Sequence, residues 1–513
     1  MKLTYVSHAS LLIELKNLKV LTDPWFNGAA YLNQWHVFPK PVDTTFVSDV
    51  THIILTHGHE DHLHVPTLQL MNKNAQIYFP YTWINGTKEL LESIGFKNIQ
   101  EVPSFKKIKL SDSLSMTFIV NGLDAFVVYE CEGKVYLNLN ESLNGSHWAF
   151  VEIFTKIIRK RWKQIDLLIC GLGGASYFPN TVHAPNKDDN EIALLREQFL
   201  AHKFCEIVEE IKPVDIFPFV PGFALLEQDK QWINKMKFSR NNLEQYYKDF
   251  FDNKSTIKFF NLLPGDNIEN NLWNKTSPYH EQAIDDNISH LLEEQYTEEI
   301  VKANSFEIQP TSIVIELQEQ LQKILPMSSS GIADELLSQI NFVLLLKDVE
   351  DEIYIHCYFE DDKLKTRVVY ALPAKANLKI TTYSFRLKYA LSELWGGDVF
   401  YIGYGADIHV LDDSILVDNI DIVSLRLLSR FPAASYTMLR EPVRAARYLT
   451  TNPTYAYLAV KQKIQMRGNM NKLPYNERAH WINKGKCDVC RLCDIPLLSD
   501  DFGEQLITKQ LTK

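Results

Sequence analysis

A wholly apolar strand segment, Ile53-Ile54-Leu55, runs directly into Thr56-His57-Gly58-His59-Glu60-Asp61-His62. No other feature of the chain constrains its fold as much. Two histidines at i and i+2 in an extended loop point the same way, so His57 and His59 can grip one metal ion. Asp61 and His62 then turn the chain and can face a second ion. Imidazole and carboxylate donors suit zinc or iron. Gly58 is read as the residue that lets the backbone tighten between the two histidines. The competing reading is a solvated histidine-rich loop. The apolar strand in front argues against it, because a loop at a sheet edge is where binding sites form.

The 513 residues exceed one compact core and predict two to four domains. With 53 basic against 64 acidic side chains, the net charge is −11. A chain this acidic lacks the general basic footprint that phosphate backbones and anionic membranes require. No stretch reaches the roughly 20 apolar residues of a membrane span. The start, Met1-Lys2-Leu3-Thr4-Tyr5, has no apolar core of a signal peptide. Cys131, Cys170, Cys205 and Cys357 lie scattered in apolar surroundings and read as reduced core residues. A cytoplasmic location is expected.

Strand and helix patterns alternate along the first half, which predicts a layered α/β architecture. Short strands are expected at 11–13, 20–22 and 53–55. A hairpin is expected from Phe126–Tyr129, a turn at Glu132-Gly133, and Val135–Leu137. A buried strand follows at 165–169, a helix at 188–211 and a strand at 216–219. Residues 1–265 are read as a catalytic α/β domain and the polar stretch 266–310 as a linker or covering segment. Residues 311–430 are read as a smaller α+β domain, with helices near 312–325 and 382–394 around three strands. Residues 431–513 are read as a C-terminal segment.

The loop matches the H-x-H-x-D-H signature of the metallo-β-lactamase superfamily, and the chain resembles that superfamily. Ser7-His8-Ala9-Ser10, Leu11–Glu14 and Leu21-Thr22-Asp23-Pro24-Trp25 are similar to the opening of its UlaG-like branch. The resemblance implies an αββα sandwich for the first domain. It implies that Asp23 braces the metal loop without binding metal, and that His8 has a structural or substrate-facing role rather than ligation. A narrower resemblance, to the CMP-N-acetylneuraminate hydroxylases, runs through Leu137–Glu141, Asp166–Pro179, Phe217–Phe223 and Leu387–Asp407. It implies that Glu141 occupies the position of a bridging carboxylate and acts with Asp61 at the catalytic centre.

Two departures from that family bear on function. The family carries an N-terminal Rieske iron–sulfur domain, whereas this chain opens on the metal-site domain. The family also uses a later histidine just before the 126–137 hairpin, and none occurs between His64 and Glu141. His64, His147 and His183 are the candidates to complete the set.

Outside the loop, Cys487-x2-Cys490-x2-Cys493 can bind one soft metal or cluster, either iron–sulfur or structural zinc, or can be three free thiols. The basic run Lys156–Lys163 reads as a solvated helix face, with attraction of a phosphate-bearing substrate as the alternative. Two mechanisms follow from one site. The first is a dinuclear-iron oxygenase hydroxylating a small polar or nucleotide-linked substrate with dioxygen, supplied with electrons by a partner. The second is a zinc-dependent hydrolase of a phosphodiester, lactone or related ester. A non-catalytic scaffold is the third class.

Overall fold

The computed structural model describes residues 1–466, apart from 145, 147, 174–176, 184–187, 220, 413, 416–418, 421 and 431–440. Two sheets face each other in the first half. An eight-stranded sheet runs in the order Leu272–Asn274, Asn267–Glu269, Lys2–Ser7, Ser10–Leu15, Leu18–Thr22, His52–Ile54, Gln76–Pro80, Ile99–Val102. A seven-stranded sheet runs in the order Lys258–Phe259, Asp215–Phe219, Leu167–Gly171, Lys134–Asn140, Asp124–Cys131, Leu114–Asn121, Lys107–Lys109.

Period-2 alternation explains why both faces of each sheet are covered. Leu11, Ile13, Val20 and Ile54 point inward and meet Phe118, Val120, Val127, Ile169 and Phe217 from the other sheet. Leu12, Leu21, Ile53 and Leu55 point outward against Leu68 and Leu91 of the covering helices. On the far side, Phe126, Val128, Leu137 and Leu168 pack on Phe154, Phe204 and Val208. The result is the αββα sandwich that the sequence resemblance implies. The four scattered cysteines are buried and free.

The stretch 266–310, read as a linker or covering segment, carries regular structure. Asn267–Glu269 pairs antiparallel with Lys2–Thr4 and extends the first sheet, and Glu281–Ala303 is helical, with breaks in the helical backbone at Asn287 and Tyr296. Its composition is polar because an edge strand and a surface helix each bury a single stripe, here Ile268, Ile288, Leu292 and Tyr296.

The second unit is a six-stranded sheet in the order Val182–His183, Ala406–Val410, Leu378–Thr382, Asn341–Leu346, Tyr354–Glu360, Lys363–Val369. The helices Ser312–Ser328 and Ser384–Ser392 accompany it. Its first strand is lent by the sandwich: Val182 pairs with Ile408 and His183 with His409. Phe178, Val182 and Ile192 join its core. The two units are therefore interleaved, although their sequences read as consecutive. Among the described residues no helix is long and apolar enough to cross a membrane.

Candidate metal centre

The loop after Ile54 lies at one end of the sandwich, between the ends of strands from both sheets. Asp23, at the end of the neighbouring strand, anchors it. Its carboxylate accepts from Thr56 N at 2.8 Å and Thr56 Oγ1 at 2.7 Å, and from Asn140 Nδ2 at 3.1 Å. It also lies 3.1 Å from His62 Nδ1, which leaves Nε2 to face the centre. Asp23 thus contacts the loop at Thr56 and at the Nδ1 side of His62.

The serines of the opening motif hold Asp23 in turn. Ser10 Oγ donates to Asp23 O at 2.7 Å and accepts from Trp25 N at 2.9 Å, and Ser7 Oγ donates to Trp25 O at 2.6 Å. His8, Asp23, Tyr31 and Asn140 all have positive φ, at 38°, 40°, 53° and 53°. Left-handed backbone costs a non-glycine residue on the order of 1–3 kcal/mol. Four such residues converge on one site because the surrounding hydrogen bonds hold each of them in place.

Two groups of donors meet here. His57, His59 and Glu141 form one, and His8, Asp61 and His62 form the other, with the donor atoms of each group within 4.8 Å of one another. Glu141 stands between them. Its Oε1 is 3.1 Å from His62 Nε2 and 3.9 Å from His57 Nε2. Asp61 Oδ2 lies 3.0 Å from His8 Nε2 and 3.2 Å from His62 Nε2. His57 Nε2 is buried and has no hydrogen-bond partner among the described residues. Leaving such an atom unmet costs about 1–3 kcal/mol, so a ligand for it is favoured. The orphaned imidazole nitrogen and the imidazole–carboxylate donor set fit a divalent transition metal.

The electrostatics follow from burial and pairing. Burial pushes His57 well below the ordinary histidine range, and His62 and His59 push it further down. Burial acts the same way on His62, but Asp61 and Asp23 outweigh it and raise His62 well above that range. Burial works to raise Asp61, and His62 and His8 hold it well below the carboxylate range instead.

Several expected candidates lie elsewhere. His64 is not with the donor groups. It caps the helix Val65–Leu70, with Nδ1 2.9 Å from Thr67 Oγ1 and Nε2 3.2 Å from Ala29 O. His183 is in the second unit's sheet, between Asp189 and Asp407. His147, Cys487, Cys490 and Cys493 lie outside the described residues. The basic run lies on the surface helix Trp148–Arg161, where Lys156 pairs with Glu152 and Arg159 donates to Glu210 O. Gly58 has no left-handed φ, and a methyl group on its Cα would meet nothing within 4 Å, so the expected tightening is not its role.

Sequence reasoning missed three residues around the centre. Tyr31 OH donates to Asp61 Oδ1 at 2.5 Å, and Tyr31 N donates to Glu60 Oε2 at 2.7 Å. Asp124 begins the strand beside which the family's later histidine would stand. Burial raises it to about 6, with His59 lowering it and Glu141 raising it. Asp398 comes from the second unit, and burial raises it to about 6, with His59 lowering it and Asp61 raising it. The segment carrying Asp398 is fixed against the sandwich by Gln34 Nε2, which donates to Val399 O at 2.8 Å. A carboxylate at the start of the 124–131 strand was visible in the sequence. Nothing in the spacing pointed to Tyr31 or Asp398.

The beta-lactamase superfamily domain matches over residues 2–149. The chain is 25% identical over 256 residues to the cytidine monophosphate-N-acetylneuraminic acid hydroxylase of Danio rerio, covering 45% of this chain and 40% of that protein. It is 33% identical over 247 residues to a protein named as a Rieske 2Fe-2S iron-sulfur protein in Mycolicibacterium smegmatis, covering 46% of each. The chain thus spans less than half the length of these curated relatives. Among solved structures, the isothiocyanate hydrolase from Delia radicum gut bacteria is 15% identical, with a TM-score of 0.36, covering 53% of this chain and 100% of that one. With its αββα sandwich and the superfamily domain at residues 2–149, the chain has a metallo-β-lactamase fold joined to an additional α+β unit.

Proposed function

We propose that the chain is a dinuclear metal-dependent oxygenase that hydroxylates a small polar substrate. His57, His59 and Glu141 would hold one ion, and Asp61 and His62 the other, with His8, expected in a structural or substrate-facing role, as a third donor beside them. The observation that carries this reading is Glu141 Oε1, which stands between the two groups at 3.1 Å from His62 and 3.9 Å from His57. Four imidazoles and two carboxylates suit iron as well as zinc, and the hydroxylase named among the relatives tips the choice to iron. Bound iron would supply dioxygen chemistry for attack on a C–H or N–H bond.

The chain's own residues do the positioning. Asp23 and Asn140 fix the ring of His62, and Tyr31 holds Asp61 through its hydroxyl. Asp124 and Asp398 place carboxyl groups close enough to His59 to interact with it. Electrons come from a redox partner or from a cluster at Cys487, Cys490 and Cys493.

The second reading is a zinc-dependent hydrolase. His57, His59 and Glu141 make a two-histidine, one-glutamate set, which is a common catalytic zinc environment. Protein purified under low oxygen separates the two. Two irons per chain and substrate-dependent dioxygen consumption are expected for the oxygenase. Two zincs, with ester or phosphodiester cleavage and no dioxygen uptake, overturn it in favour of the hydrolase.

A further inference from the structure

Outside the metal centre, a cavity of about 570 Å³ lies between the sandwich and the helix Glu281–Ala303. None of His57, His59, Asp61, His62 and Glu141 lines it. Phe38, Pro39, Leu172, Phe238 and Ile284 give it apolar walls. Its polar groups are unevenly satisfied. The Arg240 guanidinium is paired with Glu281, at 3.0 Å from Nε and 2.5 Å from an Nη, and also donates to Leu262 O at 3.1 Å. Asp285 accepts from Ser239 Oγ at 2.5 Å, and Asp286 accepts from the Gln282 amide at 2.9 Å. Lys237 differs. Its Nζ donates to Phe223 O and lies 4.6 Å above the Phe223 ring, and no carboxylate pairs with it among the described residues. Two of its three N–H groups are left over. The Tyr5 hydroxyl lines the same cavity and makes no hydrogen bond among the described residues.

We propose that this cavity is a second small-molecule site, taking a monocarboxylate with a compact apolar body. Lys237 and the Tyr5 hydroxyl would receive the carboxylate, and the apolar walls would receive the body. Lys235 also lines the cavity without a carboxylate partner among the described residues, but it is exposed to solvent, so Lys237 is the enclosed cation left to match one negative charge. A dianionic phosphate would keep an unmet charge beside Asp285 and Glu281. Burial lowers Lys237 to about 8, with Glu197 raising it and Arg240 lowering it, so most molecules still carry the ammonium in neutral buffer. Burial likewise pushes Tyr5 up to about 12, so its hydroxyl remains a donor. The site adjoins the metal centre through one peptide group. Gly222 lines the cavity, and its N–H donates to His8 Nδ1 at 3.2 Å, while His8 Nε2 faces Asp61.

Calorimetric titration of the full-length protein tests this without reference to metal or turnover. The probes are benzoate, hexanoate, the neutral benzamide and inorganic phosphate. Saturable one-to-one binding of benzoate or hexanoate is expected, with benzamide at least tenfold weaker and no phosphate binding. Lys237→Met should weaken the carboxylates tenfold or more and leave benzamide unchanged. Ile284→Trp, which fills the space and keeps the charge, should abolish binding of all probes. It decides the matter if Lys237→Met fails to fold, as judged by circular dichroism. Unchanged carboxylate binding in both variants, no carboxylate binding to the native chain, or tighter binding of phosphate overturns the proposal.

Discussion

The metal centre and the seam around Asp407 both bury charged side chains, with opposite outcomes. At the seam every charge meets its opposite. Asp407 receives Lys230 at 2.5 Å and Lys347 at 2.8 Å and lies 3.2 Å from His183, while Lys347 also meets Asp229 at 2.7 Å and His183 meets Asp189 at 2.7 Å. At the metal centre, His62 Nε2 faces two carboxylates, while His57 Nε2 has no hydrogen-bond partner among the described residues. Both regions contain strongly displaced acidities, so displacement alone does not mark a functional site. An unmet atom alone does not mark one either, since Asp189 Oδ1 at the seam is also without a partner among the described residues. What sets the metal centre apart is two groups of imidazole and carboxylate donors facing one another, with the unmet His57 Nε2 among them.

The largest test of this contrast removes a donor from the metal centre. His59→Ala should lose most of the bound metal and abolish activity, yet leave the unfolding midpoint of the metal-free protein nearly unchanged. Elemental analysis and urea titration report the two quantities separately. Gly222→Ala should also strike the centre. A methyl group there would sit 2.7 Å from His8 Cα and 2.8 Å from His8 N, so the His8 backbone must move. Metal content should fall, and stability should drop by about 1–3 kcal/mol.

Asp407→Asn tests the seam. Removing one member of a buried charge pair costs about 3–5 kcal/mol. Stability should fall by that order in urea titration, with metal content retained. The seam also has a pH window. Burial works to raise Asp407, but Lys230, His183 and Lys347 hold it far below the carboxylate range. Its contribution is present above the unfolded value of about 4 and is lost as pH falls below it. Burial works to lower His183, but Asp189 and Asp407 raise it. Its contribution is full below about 6.5 and is lost as pH rises through the raised value. The native protein should therefore be more stable at pH 5.5 than at pH 3.5 or 7.5, as far as the seam governs it. Asp407→Asn should flatten that difference.

The same contrast explains what the sequence could reveal. The metal loop was legible because its donors are neighbours in the chain and an apolar strand fixes their direction. Strands with clean alternation, such as those at 126–131 and 134–140, were legible for the same reason. Tyr31, Asp398 and the lent strand Val182–His183 were not. Tyr31 reaches Asp61 only through a left-handed turn at 31–33, and three successive non-glycine residues give no sign of such backbone. Asp398 arrives from a segment more than 330 residues away from the loop, so no local spacing records it. Val182–His183 is too short to carry a period and pairs with a strand more than 220 residues later. The strands at 267–274, the outer two of their sheet, were hidden by their own polarity, since Ile268 is the apolar residue they bury.

The smallest predicted effect separates visibility in sequence from structural need. Gly58 lies inside the metal loop, where a glycine between two histidines invites a conformational explanation. Its backbone is not left-handed, and a methyl group there meets nothing within 4 Å. Gly222 lies outside the loop and has no such prominence, but a methyl group there collides with His8. Gly58→Ala should therefore change stability by no more than about 0.5 kcal/mol, because an exposed position free of steric or backbone strain tolerates a methyl group. Metal content should match that of the native protein. The alanine would also reduce the freedom of the unfolded loop, so any small shift should be stabilising. A marked loss of metal in Gly58→Ala, with Gly222→Ala unaffected, would reverse the roles assigned to the two glycines and place the strain inside the loop.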